Sequence, residues 1–367
     1  MERLEYAIYL RDKIGPEKFD ILVKMSKCVL ANSPKKPDSD FQFKKIPVSR
    51  SMNYVLDFFS KLNPQYYYRV LNIIRENVKK DKYTADKISW FDMTPDTFPY
   101  SDGLGFTITN SAERKIDGIK NERGLGYGNC VISPSGEVFI DDTQTIETAA
   151  SMAHELGHKL SLSNIQIEDN NSNKLVEDGI YRETPSVTLE MLFFDYLRSI
   201  GYNEDEVNAL EYARINNINI VTSILLVVNE VLEREEENPD IDEIISNFRE
   251  QYPAFSNDES FTTAMEMMFN NDLSYQESVT PQIEGFLPYL IGLLMSAPFK
   301  KDYYENKDKA KLFRFIHIYP DNLMTEEEKE QEYKELGLLF EANNIDELIS
   351  IYEEVYGSKE DEVSLTV

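Results

Sequence analysis

The sequence predicts a mainly α protein carrying one small antiparallel β-sheet. Three observations lead there. Apolar residues recur at spacings of three and four up to about Lys80, and they do so again from Ile146 to near the end; between these stretches the helical spacing gives way to β-branched and aromatic runs.

Taken in order, EYAIYLRDK, FDILVKMSKCVL and YYYRVLNIIRENVKK each place apolar residues on one helical face, so residues 1–85 are expected to form a helical layer. From about Trp90 to Asp142, LGFTITNS and CVISPSGEVFIDD have strand texture, and Pro134, Ser135 and Gly136 supply a hairpin turn. Residues 86–200 are therefore expected to form a core that joins this sheet to the helix beginning at Ile146. TSILLVVNEVLEREEE, IDEIISNFREQY and DELISIYEEVYG continue the helical pattern, so 201–367 are expected as a C-terminal helical lobe forming one compact unit with the core. Asn170 to Asn173 suit a loop, and the acidic stretch after Ser358 suits a frayed tail.

Composition narrows the function. With 41% hydrophobic and 28% charged residues in 367, the chain can bury a sizeable core. The formal net charge of −28 argues against a nucleic-acid partner or an anionic membrane surface, each of which needs a basic stripe. Cys28 and Cys130 lie far apart without a CxxC spacing, which predicts two reduced thiols. The amino-terminal residues lack the order of a secretion signal, and the apolar stretch Phe286 to Phe299 is too short to span a bilayer. A cytoplasmic location is the expectation.

The chemistry is concentrated in AASMAHELGHKLSL, where His154 and His158 stand four apart with Glu155 between them. On a helix this spacing stacks both imidazoles on one face, where they can hold one zinc ion, and sets Glu155 beside them to take a proton from water. Ile146, Ala149, Ala150, Ala153, Gly157 and Leu160 give the same segment an apolar or small face that can pack inward. His317, in FRFIHIYP, reads as a packed core histidine.

A catalytic zinc needs a third protein ligand and an open position. No histidine follows at the spacing HExxHxxGxxH, so a carboxylate on a neighbouring helix is expected. RETPSVTLEMLFFDYL offers Glu183 and Glu190, and the residues alone leave both open.

With these motifs the chain resembles the thimet oligopeptidase and oligoendopeptidase F family of zinc peptidases. The resemblance covers roughly Gly124 to Ala297. Glu183 stands 25 residues beyond His158 and opens E-x-x-S-x-x-x-E with Ser186 and Glu190, which implies Glu183 as the third ligand and Glu190 as a partner orienting a ligand imidazole. The fold implied is a zincin-like catalytic domain with surrounding helical lobes, and the cofactor implied is one Zn2+ per chain. ERGLGYGNC resembles the family's glycine-rich strand, so Gly124, Gly126, Tyr127 and Gly128 are expected along an edge where an extended peptide substrate adds as a strand. GFLPYLIGLLMSA resembles the tyrosine-bearing helix, implying that Tyr289 donates to the developing oxyanion and that Gly292 permits a close helix approach.

There are two departures. The chain is shorter than typical members, and in the register of Tyr289 the family's other tyrosines fall on Gln282 and Phe286. The expected activity is hydrolysis of internal peptide bonds with Glu155 as general base. The alternatives are a peptidase that acts on one folded protein, in the manner of a toxin or effector, and a metal-binding peptide-recognition protein without turnover.

Overall fold

The computed structural model describes residues 2–38, 40–80, 106–109, 130–132, 138–141, 143–162, 179–253, 259–269, 273–305, 309–318, 325–335 and 342–357. In chain order these form α1 (Arg3–Ile14), α2 (Pro16–Ala31), α3 (Val48–Leu62), α4 (Pro64–Asn77) and β1 (Val78–Lys80), then β2 (Phe106–Thr109), β3 (Cys130–Ile132), β4 (Val138–Asp141) and α5 (Ile146–Leu162). After these come α6 (Gly179–Ser199), α7 (Glu204–Arg234), α8 (Ile241–Gln251), α9 (Glu259–Phe269), α10 (Leu273–Tyr304), α11 (Lys309–Ile318), α12 (Glu326–Glu335) and α13 (Ala342–Tyr356). The described residues are mainly helical.

The strands correct the expected antiparallel sheet. Their order is β1-β2-β4-β3, in which only β3 and β4 run antiparallel, with Val131 opposite Phe139. β1 pairs with β2 and β2 with β4 in parallel. Parallel neighbours need a long crossover, and a run of strand texture does not reveal which strands one joins. β1 also follows α4 directly, so the helical stretch expected to about Lys80 ends at Asn77. The hairpin turn at 134–136, the loop at 170–173 and the acidic tail lie outside the described residues.

The chain divides into two compact units that do not follow the three consecutive stretches expected from the sequence. One holds Met1–Lys36, Asn164–Thr188 and Arg214–Val367; the other holds Pro37–Ser163 and Leu189–Ala213. In the first, α2 packs against α10 and α13. A hydrogen bond of 2.8 Å joins the Ser296 and Tyr356 hydroxyls there, and Lys24 pairs with Asp346 at 2.9 Å. Gly15 takes φ +98°, a conformation open to glycine, and lets α1 pass straight into α2 with Pro16 at its first position.

In the second unit, α3 packs against α4 and α5, and α5 also meets β4. Phe58, Phe193 and Tyr196 cluster there, and the Tyr196 hydroxyl donates to Asp57 at 2.7 Å. Arg198 holds Glu204 at 2.8 Å and Glu211 at 2.9 Å.

Among the described helices α7 is long and apolar enough to cross a membrane, a possibility that the apolar stretch at 286–299 did not bring out; 67% of its most apolar window is buried inside the protein, and buried core helices pass the same test. Cys28 is a free, buried thiol, and burial pushes its pKa up to about 12.

Candidate metal centre

α5 is buried on both its apolar and its polar faces. Ile146, Ala149, Ala150, Met152, Ala153, Leu156 and Leu160 are fully buried. The alanines shorten the distance at which neighbouring elements can pack. Before its first turn the Ile46 amide donates to the Gln144 carbonyl at 2.8 Å, while the Thr143 and Thr145 hydroxyls lie 2.7 Å apart. Glu147, in that first turn, accepts from the Thr145 hydroxyl at 2.9 Å. Burial raises its pKa to about 7, against the lowering effect of that hydrogen bond.

On this helix the His154 and His158 rings lie 4.9 Å apart, centroid to centroid, at 80° to each other. Both histidines and Glu155 are buried. α6 supplies the partner of the first imidazole: Glu190, fully buried, accepts from His154 Nδ1 at 3.0 Å. That bond fixes the tautomer with the proton on Nδ1 and leaves Nε2 as the lone-pair donor. Glu155 Oε1 lies 4.0 Å from that Nε2. The second oxygen of Glu155 is buried without a hydrogen-bond partner among the described residues.

Glu183 sits two turns before Glu190 on the same helix. Its carboxylate Oε2 lies 3.2 Å from the Ser186 hydroxyl, which is also 2.8 Å from the Glu183 carbonyl. His154, His158 and Glu183 each offer one ligand atom, and these atoms all lie within 4.8 Å of one another. Two neutral imidazoles and a carboxylate are a zinc-type donor set, and the buried Glu155 oxygen beside them needs a polar partner. The residues present fit the ion.

Of the other expected site residues, Tyr289 is half-buried on α10, with the Arg214 guanidinium 5.7 Å from its ring centroid. Phe286, one turn earlier, is exposed and its ring lies 6.3 Å from that of Tyr289. Gly292, one turn later, is where α10 meets α6. A Cβ there would stand 3.2 Å from Val187 Cγ2 and 3.4 Å from the Glu183 carbonyl. The close approach expected of this glycine is therefore made.

Gly124, Gly126, Tyr127 and Gly128 lie outside the described residues, although β3, which begins at Cys130, is an edge strand of the sheet. His317 falls within α11, with its side chain outside the described residues. Sequence reasoning missed Arg214, which sits in EYARINN, a segment with no motif or spacing to mark it. No protein-family model matches the chain, and no curated protein and no solved structure matches it.

Proposed function

We propose that the protein is a zinc-dependent endopeptidase acting on peptides, a zincin-like relative of the thimet oligopeptidase and oligoendopeptidase F family. The observation that carries the reading is the convergence of His154, His158 and Glu183 within 4.8 Å, with Glu190 holding His154 in the ligating tautomer.

His154 Nε2, one nitrogen of His158 and the Glu183 carboxylate would hold the ion. A zinc ion there supplies Lewis acidity toward water and a peptide carbonyl. The remaining work falls to the chain. Glu155 takes the proton of the attacking water and returns it to the leaving amine. Its buried, unpartnered oxygen suits a base that meets water or substrate rather than protein. Ser186 restrains the Glu183 carboxylate, so that the ligand need not be ordered on binding. Tyr289 donates a hydrogen bond to the oxyanion as it develops. The acidic surface favours neutral or basic peptides over nucleic acid.

The test is metal analysis of the purified protein alongside digestion of a peptide library, with and without chelator. The reading expects about one zinc per chain and internal cleavages that stop on chelation and return with zinc. Cleavage that persists in chelator, or a protein that takes up no zinc, would contradict it.

A further inference from the structure

Arg214 is 7% exposed, an expensive position for a cation, and its guanidinium carbon lies 5.7 Å from the centre of the Tyr289 ring. Such a pair is attractive, and an arginine can hold a ring by stacking as well as by charge. Tyr289 is not on an isolated stretch of helix. One turn on, at Gly292, a Cβ would stand 3.4 Å from the Glu183 backbone and 3.2 Å from Val187 Cγ2, so the absence of a side chain lets α10 lie close to α6. One turn back, Phe286 limits the ring's freedom on that side. α10 thus meets the first half of α6 one turn beyond Tyr289, at a distance set by a glycine. The guanidinium covers one side of the ring.

We propose that Arg214 is a positioning residue for Tyr289: it holds the ring in one orientation and, through its charge over the ring, makes the phenol O–H a stronger donor. The proposal rests on the peptidase reading above, since the purpose of a positioned phenol is the oxyanion. Arginine is required rather than lysine, because a planar guanidinium can lie along the ring whereas an ammonium meets it as a point.

The test pairs kinetics with a probe that needs no turnover. Arg214→Gln, Arg214→Lys and Tyr289→Phe are made singly, and Arg214→Gln is also made in the Tyr289→Phe background. Hydrolysis of a quenched peptide is followed in each zinc-loaded protein. Separately, fluorotyrosine is placed at position 289 alone and its 19F resonance is recorded with and without Arg214→Gln. The expected result is a kcat lowered by about tenfold in Arg214→Gln with KM little changed, a smaller loss in Arg214→Lys, and no further loss when the Tyr289 hydroxyl is already absent. The fluorine line should shift or broaden in Arg214→Gln.

Equal losses of kcat in both backgrounds, or an unmoved fluorine line, would overturn the proposal even if Arg214→Gln proved less stable. If the wild type cleaves no peptide while the fluorine line still responds, the peptidase reading falls and the catalytic purpose with it, leaving only the Arg214–Tyr289 coupling.

Discussion

Replacing Glu190 with Gln removes the charge that His154 Nδ1 leans on while keeping the shape of the side chain. The oxygen accepts from Nδ1 at 3.0 Å, and the glutamate has no exposed surface, so water cannot take over the interaction. A buried partner that fixes a ligating imidazole contributes about 10–100-fold to metal affinity, which corresponds to about 1.4–2.8 kcal/mol. The upper half of that range applies here, because the glutamine amide can rotate its NH2 toward Nδ1 and so favour the wrong tautomer. The assay is a zinc titration against a competing fluorescent chelator at fixed pH. Zinc affinity of Glu190→Gln should fall at least thirtyfold. Thermal unfolding of the metal-free protein should change far less, since the variant still fills the site. An unchanged affinity would refute the reasoning that α6 orients the α5 imidazole for a metal.

Glu147 gives a stability effect with a definite sign. Its folded pKa of about 7 stands above the ordinary glutamate value of 4.5, so the folded protein holds this proton more tightly than the unfolded chain does. The contribution is complete below about pH 4.5 and is lost as pH rises through 7, by at most about 3–4 kcal/mol. Denaturant unfolding at pH 5 and pH 8 should show Glu147→Gln losing less stability across that interval than the wild type. Gly292→Ala gains up to about 1 kcal/mol of helix propensity but must push Val187, whose Cγ2 would be 3.2 Å away, so its stability should stay within about 1 kcal/mol of wild type. Gly292→Leu should cost about 1–3 kcal/mol or more and weaken zinc binding through Glu183. A fully stable Gly292→Leu with intact zinc binding would show that the approach of α10 to α6 is not tight.

The legible parts of the molecule were those written in local spacing. The helix around His154 and His158 follows from small and apolar residues on one face, and those residues are buried, although the polar face that carries the histidines is buried too. The choice between Glu183 and Glu190 was not legible from the residues, because two carboxylates seven apart lie on the same face of one helix. Only the tertiary partners separate them, with Glu190 on His154 Nδ1 and Glu183 among the three gathered ligand atoms. The packing of α2 against α10 and α13 joins residues some 320 positions apart, as in Lys24 with Asp346, and periodicity says nothing about such pairings. The parallel pairing of β1 with β2 was hidden for the same reason. Arg214 reads as an ordinary helix residue until α10 places an aromatic ring beneath it.

The central claim is that one zinc and Glu155 together cleave peptides. The most direct test measures zinc content and quenched-peptide hydrolysis side by side in the wild type and in Glu155→Gln. The account predicts about one zinc per chain in both proteins and a hydrolysis rate in the variant lower by about a thousandfold or more, because the base is deleted and no ligand is. Hydrolysis at the wild-type rate by zinc-loaded Glu155→Gln, or a wild type that binds zinc and cleaves no peptide, would contradict it.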